Sequence, residues 1–406
     1  MTLWTLALRN VLRNARRSLL AAGAVAVGLT AVMFGQSLLR SFQRQMIDKA
    51  TGVMLGHAQV QAAGVKDRKV PEKLLTRPER FSELMRRDPR VKAAGARLLY
   101  TGLVYSATAS RGVLIAGIEP DAEKELSIIP GYLTEGRYFG GNERDAVMGA
   151  KLARELDVRL GERIVVMAQR PGGEMQSELF RVAGLYHTAS VTYDGQIVYV
   201  PLAMAQRIRG AEGKASHVAA RLHDGDALEG FSADLGGVLG DPGAIVLTYK
   251  DVGSEVVGIK KFQDAILIVI MLVIYLIVGL GILNSVSMSL FERIREFGVI
   301  RAVGARPSVL VRLILAEAAL LGGVGVLAGA ALGGALIGVF GVSGLHLPLG
   351  TALSYFMPFD NVVYMRAQWG LHARSALGLW AVCVGAAVGP AVRAARLVVS
   401  EALRHV

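Results

Sequence analysis

Four long stretches of the chain contain no charged residue: residues 18–39, 265–291, 318–345 and 375–392. A helix needs roughly 20 apolar residues to cross the hydrocarbon core of a bilayer. The pattern therefore predicts four transmembrane helices. With their flanking turns, these spans are placed at residues 18–40, 265–291, 307–340 and 375–392.

Residues 41–264, between the first two predicted spans, are numerous enough to form a folded domain with its own core. Within it, strand-like and helix-like patterns alternate twice, at about 50–106 and about 215–250, which predicts two βαβ units. The strand, helix and strand are His57–Gln61, Arg80–Arg87 and Gly95–Val104 in the first unit, and His217–Leu222, Ala227–Leu239 and Ala244–Tyr249 in the second.

Residues from about 111 to 201 differ from these two units, because short β-rich runs alternate there with glycine and proline. Gly172-Gly173 lies between two such runs and predicts a hairpin. An amphipathic helix is predicted at Ala146–Leu156. We interpret this region as a β-rich insertion. The predicted fold class is therefore an α-helical membrane protein with four transmembrane helices and a large α+β domain between helices 1 and 2.

Residues 1–17 combine an apolar and a basic face at helical spacing. Trp4 and Leu8 belong to the apolar face, whereas Arg9 and Arg13 belong to the basic face. This pattern is typical of a helix that lies in the membrane interface, where tryptophan is favoured. We therefore predict a cytoplasmic amphipathic helix here rather than a disordered basic tail.

The distribution of charge predicts the orientation of the spans. Hydrophobic residues make up 52% of the chain, and the mean hydropathy is +0.43. Three short segments next to the spans hold twelve basic and four acidic residues, a net +8 of the formal +12. Basic residues concentrate in short cytoplasmic segments. The N-terminus, the segment between spans two and three and the tail 393–406 are thus expected in the cytoplasm, with 41–264 and the loop 341–374 outside.

Several functional classes are disfavoured by the sequence. A nucleic-acid-binding protein would carry its basic residues as a stripe on a soluble domain. The phosphate-binding pattern G-x-x-x-x-G-K-[ST] does not occur, so ATP hydrolysis by this chain alone is not expected. None of the seven histidines has metal-ligand spacing to a cysteine or another histidine. The single cysteine, Cys383, lies in the last predicted span, so the external domain has no disulfide.

Glycines recur at every fourth position in the third predicted span: Gly325, Gly329 and Gly333, and then Gly334 and Gly338. Small residues at this spacing let helix backbones approach closely in a membrane. We therefore predict that the glycine face packs against another span, of this chain or of a partner. The alternative is the general frequency of glycine in membrane helices.

Residues 291–305, FERIREFGVIRAVGA, form a charged segment between spans two and three that we call the interhelical segment. Gly304 suits a helix end and Pro307 the first turn of the next helix. We therefore predict a short helix at 292–306. Its charges have two interpretations: arginines neutralise the glutamates within the chain, or the helix docks into a groove of a soluble partner.

Glu292–Ala305, ERIREFGVIRAVGA, closely resembles the signature of the FtsX-like permease family, which includes the MacB and LolC/LolE transporter subunits. Leu6–Leu20 and Gly389–Arg404 resemble the two ends of the family sequence. Asp145–Ile164 and Phe180–Tyr186 resemble its external domain. The resemblance extends over nearly the whole chain, whose layout is most similar to that of the LolC/LolE subunits.

The resemblance implies a permease subunit of an ABC transporter in the bacterial inner membrane, with a periplasmic 41–264 domain. It implies no cofactor in this chain, because ATP and Mg would be bound by a separate ABC ATPase subunit. A second permease copy or sibling, a periplasmic carrier or adaptor, and membrane lipid are the other implied partners. ATP hydrolysis would drive conformational change in the periplasm (mechanotransmission).

The implied cargo is a lipoprotein or another lipophilic molecule. A MacB-like efflux permease for small molecules or peptides is an alternative, and so is an FtsX-like signalling subunit that controls a cell-wall hydrolase. In the family, the interhelical segment contacts the ATPase. The implied coupling residues are Glu292, Arg293, Arg295, Glu296, Gly298, Arg301 and Gly304. By analogy, the residues expected to contact cargo are Phe34, Leu38, Phe42, Phe262 and Ile266.

Overall fold

The computed structural model describes residues 3–188, 190–347 and 362–396. The helices in chain order are α1 Leu3–Arg13, α2 Ala15–Ala50, α3 Pro78–Arg86, α4 Pro120–Leu126, α5 Ala150–Glu155, α6 Val191–Gln196, α7 Leu202–Arg209, α8 Leu228–Val238, α9 Tyr249–Val252, α10 Ser254–Glu292, α11 Ile294–Ala302, α12 Pro307–Ser343, α13 Trp369–Ala386 and α14 Val388–Ala395. A π-helical turn, Thr51–Leu55, continues α2 directly, and 3-10 turns lie at Ile129–Tyr132 and Gly225–Ala227.

The strands in chain order are β1 Ala58–Ala62, β2 Leu75–Thr76, β3 Val91–Tyr105, β4 Ser110–Ile118, β5 Leu133–Gly136, β6 Asp145–Gly149, β7 Arg163–Gln169, β8 Met175–Tyr186, β9 Ile197–Pro201, β10 Lys214–Ala215, β11 His217–Leu222, β12 Ala244–Thr248, β13 Leu345–His346 and β14 Val362–Val363. The described residues divide into two compact units. The helical unit lies within 1–42, 261–346 and 362–396, and the domain unit lies within 43–260.

Among the described residues, four helical segments are long and apolar enough to cross a membrane: α2 with its π-helical turn, α10, α12, and α13 with α14. The 36 residues of α2 and the 39 of α10 correspond to roughly 54 and 58 Å, well beyond the roughly 30 Å of a bilayer core. In α2, no glycine or proline interrupts the helix between Arg40 and Ala50. Both helices therefore continue beyond the predicted spans into residues of the domain unit.

The glycine row of α12 packs closely against α2. A methyl group added at Gly325 would lie 2.7 Å from the Ala22 carbonyl oxygen, and one at Gly329 would lie 2.6 Å from the Ala26 carbonyl oxygen. At Gly338 the same position has no atom within 4 Å. The prediction of close packing is therefore confirmed for the first row, with α2 as the partner. At Gly338 no described span of this chain packs closely, and packing against a partner there stays a prediction.

In the domain unit, one end of the main sheet has the strand order β12, β1, β11, β3. Every neighbouring pair there is antiparallel. Each predicted βαβ unit thus has its two strands separated by a strand of the other unit, so that the two units interleave. Their helices α3 and α8 bury Phe81, Met85 and Phe231 in one shared core.

The β-rich insertion continues the same sheet through β4, β9, β6, β8 and β5, and β7 pairs with both β3 and β8. The 15-residue β3 belongs to both halves, since its partner changes from β11 to β4 at Arg97. Between β7 and β8, Gly172 and Gly173 have φ of +112° and +93°, which favours glycine. The predicted hairpin is therefore confirmed.

The predicted helix at Ala146–Leu156 is wrong in its first third. Residues 146–149 belong to β6, and α5 covers only Ala150–Glu155. All five residues of β6 are buried, because Ala146 and Met148 pack in one hydrophobic core and Val147, on the opposite face, packs in another. A short apolar run that is buried on both faces has no alternating pattern by which to recognise a strand.

Candidate coupling site at the interhelical segment

Three elements form the interhelical segment: the end of α10, the helix α11 and a turn that leads into α12. Arg293 separates α10 from α11, with φ −118° and ψ +16°. Gly304, with φ +96°, lies in the turn after α11, and Pro307 occupies the first turn of α12. The single helix predicted at 292–306 is therefore divided, because Arg293 leaves the helical conformation.

The Arg293 side chain is buried among acidic partners. Its Nη1 donates to Glu317 Oε1 at 3.0 Å, and its Nε donates to Glu296 Oε2 at 2.9 Å. The guanidinium lies 5.0 Å from the centre of the Phe297 ring. The side chains of Arg293 and Glu317 are only 7% and 11% exposed. Removing Arg293 would leave Glu317 as an uncompensated buried charge.

The N-terminal helix and the start of α2 supply the remaining partners. Arg13 Nη2 donates to Glu296 Oε1 at 2.7 Å, and Arg17 Nη1 donates to Glu292 Oε2 at 2.8 Å. Asn10 Nδ2 donates to Glu317 Oε1 at 2.6 Å, and Asn14 Nδ2 to Glu292 Oε2 at 3.5 Å. We call these residues the polar cluster: Asn10, Arg13, Asn14, Arg17, Glu292, Arg293, Glu296 and Glu317.

The polar cluster favours the carboxylate form of Glu296. Partial burial by itself raises the pKa of Glu296, but hydrogen bonds from Arg293 and Arg13 outweigh it and lower that pKa below its ordinary value. The interpretation that the chain neutralises its own charges therefore holds for Glu292, Arg293 and Glu296. Sequence reasoning missed Asn10, Asn14 and the role of Arg13 and Arg17, although positions 10, 13, 14 and 17 have the spacing of one helical face.

A different set of side chains is left exposed on α11 and the following turn. Arg295 is exposed, and the apolar side chains Val299, Ile300 and Val303 are 49%, 38% and 84% exposed. We call these four residues the exposed tip. Of the remaining residues implied by the resemblance, Gly298 is buried, Arg301 is half-buried and Gly304 is exposed. The coupling role of all seven residues stays a prediction.

The five residues expected to contact cargo lie in two different environments. Phe34 packs edge-to-face on Phe340 at 5.8 Å between ring centres, and Leu38 packs against the same core of the helical unit. Phe42 is half-buried. Phe262 and Ile266 are 68% and 42% exposed. The structure does not gather them into one pocket among the described residues, and their role stays a prediction.

The described residues contain no group of three His, Cys, Asp or Glu side chains that could hold a metal ion.

Comparison with known families gives two matches that together cover most of the chain. Residues 18–238 match the MacB-like periplasmic core domain, and residues 268–399 match the FtsX-like permease C-terminal model. The chain belongs to the MacB/FtsX-like permease family. It is therefore a multi-pass inner-membrane permease subunit of an ABC transporter.

Relatives of this permease include proteins of matching length. It is 23% identical to the lipoprotein-releasing system transmembrane protein LolC of Xylella fastidiosa, over 94% of this chain and 92% of that protein. It is 24% identical to LolE of Haemophilus influenzae, over 93% and 92%. The macrolide export ATP-binding/permease protein MacB of Rhodospirillum rubrum is 30% identical over 38% of this permease and 25% of MacB.

Proposed function

We propose that this permease couples ATP hydrolysis by a separate ATPase subunit to a conformational change of its domain unit. The interhelical segment would contact the ATPase, and the ATPase would bind ATP and Mg. The single observation that carries this proposal is the difference between two groups of side chains in the segment, one paired within the chain and the other exposed. The polar cluster neutralises most of its charges internally, whereas the exposed tip offers apolar side chains and one arginine to a partner.

We propose the orientation of the helices in the membrane from two considerations, the location of the ATPase and the charges beside the spans. An ATPase needs the cytoplasm, and the basic residues beside the spans favour the cytoplasm for α1, the interhelical segment and the C-terminus. The domain unit would then lie in the periplasm. We propose a second permease copy or a sibling as the other half of the transporter, a pairing that the resemblance to the family implies.

For the cargo, we propose a lipoprotein or another lipophilic molecule of the inner membrane, handed on to a periplasmic carrier. The support for this assignment is the match to LolC and LolE over almost their whole length. Export of a small molecule or peptide is the second candidate, favoured by the MacB-like model across residues 18–238 and by the MacB relative.

The test of the coupling proposal is co-purification from native membranes in mild detergent, with mass spectrometry of the retained proteins. Val303→Asp places a charge on a side chain that is 84% exposed, so its effect on folding is small. Val238→Asp, at the end of α8, is the matched control, since Val238 is 66% exposed and lies in the domain unit.

We expect an ATPase with a phosphate-binding loop to co-purify with the wild-type permease and with Val238→Asp. Val303→Asp should lose it, because an aspartate would be desolvated in an apolar contact. Retention of the ATPase by Val303→Asp would refute the assignment of the exposed tip. Lipoproteins in the retained material would favour release, and small peptides would favour export.

A further inference from the structure

Helix α2 ends in an unusual way, and its end lies within the domain unit. After Ala50 the helix continues as the π-helical turn Thr51–Leu55, and Gly56, with φ +66°, ends it. Thr51, Gly52 and Val53 are buried. π-helical turns are rare and are often found at functional sites. The C-terminal end of the long helix α2 is therefore buried in the domain unit, and no linker separates it from that unit.

Backbone carbonyls of this turn are bonded to groups outside the helix. The Gly52 oxygen accepts from the Ile128 backbone N–H at 2.9 Å. The Leu55 oxygen accepts from the Gln59 side chain, which belongs to β1. A side chain on Gly52 would collide with Ile128, whose Cγ2 would be 2.7 Å from the added carbon. Contacts with Ile128 and with Gln59 thus both fix the position of the turn.

The third contact comes from a buried ion pair. Arg97 Nη2 donates to Glu123 Oε1 at 2.6 Å and its Nε donates to Glu123 Oε2 at 3.0 Å, while its Nη1 donates to the Met54 carbonyl oxygen. The side chains of Arg97 and Glu123 are 1% and 2% exposed. One planar guanidinium therefore joins α4, β3 and the end of α2.

This arrangement is poorly explained by stability alone, because a well-packed apolar pair is often as stable as a buried ion pair. Arg97 also occupies the position at which β3 changes its partner from β11 to β4. Opposite it on β11 lies His217, whose ring nitrogens lack a hydrogen-bond partner. Burial, and then the charge of Arg97, lower the pKa of His217 to about 3, so His217 adds no second positive charge beside Arg97. Glu123 balances the charge of Arg97.

We propose that Arg97 and Glu123 are positioning residues of the transport cycle: they fix the π-helical end of α2 to β3 and α4, so that α2 moves both halves of the sheet as one body. This role rests on the proposed function, because it supposes that α2 carries the movement. Lysine at position 97 would keep the charge opposite Glu123. It lacks the planar fork needed to reach Met54 at the same time.

The experiment measures the rigidity of this joint by double electron–electron resonance in the full transporter. Spin labels are placed at Arg44→Cys on α2 and Asp121→Cys on α4, which are both exposed, in a Cys383→Ala background. The label distance is recorded without nucleotide and after trapping with ATP and vanadate. Arg97→Lys is the test variant. Arg90→Lys is the matched control, because Arg90 pairs with Asp88 and Asp234 and not with the turn.

We expect one narrow distance in the wild-type protein and in Arg90→Lys, unchanged by trapping. In Arg97→Lys a second distance should appear, with the detached population raised at least about tenfold, the factor expected when a hydrogen bond from a charged donor is lost. Thermal unfolding of Arg97→Lys should stay cooperative. If Arg97→Lys does not fold, Glu123→Gln, which keeps an acceptor for Arg97 but loses its charge, is measured in its place.

A distribution in Arg97→Lys as narrow as in the wild type would overturn the proposal. So would a wild-type distance that changes on trapping, because the joint would then not be rigid. If no ATPase assembles with the permease, the proposed function fails. The widths of the label-distance distributions of the wild type and Arg97→Lys, compared without nucleotide, still decide whether Arg97 fixes the joint.

Discussion

Alanine at Gly329 tests whether the contact between α12 and α2 is as tight as the structure shows. The new methyl carbon would lie 2.6 Å from the Ala26 carbonyl oxygen and 3.0 Å from Leu29 Cβ. Because atoms in contact lie about 3.5–4.0 Å apart, the helices must separate by roughly 1 Å. This movement also lengthens the hydrogen bond that Thr30 Oγ1 donates to the Gly329 carbonyl oxygen at 3.1 Å.

Two effects of this substitution oppose each other. Overpacking of this kind costs about 1–3 kcal/mol, whereas alanine has a helix propensity about 1 kcal/mol better than that of glycine. Gly338→Ala, in the same helix, gains the same propensity without a clash. Propensity therefore cancels in the comparison, and we expect Gly329→Ala to be about 1–3 kcal/mol less stable than Gly338→Ala.

The assay is reversible unfolding of the full-length protein in mixed micelles, followed by tryptophan fluorescence. All three tryptophans, Trp4, Trp369 and Trp380, belong to the helical unit, so the signal reports that unit alone. Equal free energies of unfolding for the two variants would refute the packing argument. A less stable Gly338→Ala would refute it more strongly, because the structure offers that side chain free space.

Two further predictions concern buried ionisable groups. Glu317→Ala should destabilise the helical unit by about 1.5–3 kcal/mol, since the buried Arg293 loses one of its two acidic partners and keeps Glu296. Glu292→Ala removes an exposed pair and should cost about 1 kcal/mol or less, and equal losses of the two variants in fluorescence-monitored unfolding would contradict this. His217 is neutral in the folded protein, because its pKa there is about 3. In the unfolded protein it takes up a proton below its ordinary pKa of 6.5. Its contribution therefore lowers the stability of the folded state as the pH falls from about 6.5 towards about 3. His217→Leu should therefore show a flatter dependence of the melting temperature on pH between 7 and 4, and an unchanged slope would contradict the buried neutral histidine.

Local patterns in the sequence predicted the elements that are determined locally. Uncharged runs located the four spanning helices, and Gly172-Gly173 located the β7–β8 hairpin because its turn needs positive φ. The extension of α2 to Ala50 was missed, since polar residues after Arg40 end an apolar run without ending a helix. Strand β6 was missed because it is buried on both faces and therefore has no alternating pattern.

Long-range contacts explain the larger omissions at the candidate site. Arg13 and Glu296 are 283 positions apart, and Asn10 and Glu317 are 307 apart. The family signature pointed to the interhelical segment, but nothing in FERIREFGVIRAVGA indicates that an N-terminal helix satisfies its glutamates. The interleaving of the two βαβ units was missed for the same reason, because either unit alone has the same local pattern.

The polar cluster has a consequence for how the chain is synthesised. Residues 1–17 contain four arginines and no acidic residue, and the glutamates that neutralise Arg13 and Arg17 come more than 270 positions later. At about 5–20 residues per second, the ribosome needs roughly 15–60 s to reach them. While the first span inserts, these arginines are therefore still unpaired, and their positive charge acts at full strength on the choice of orientation of that span. The same side chains then join the finished helices together once the second span has been made.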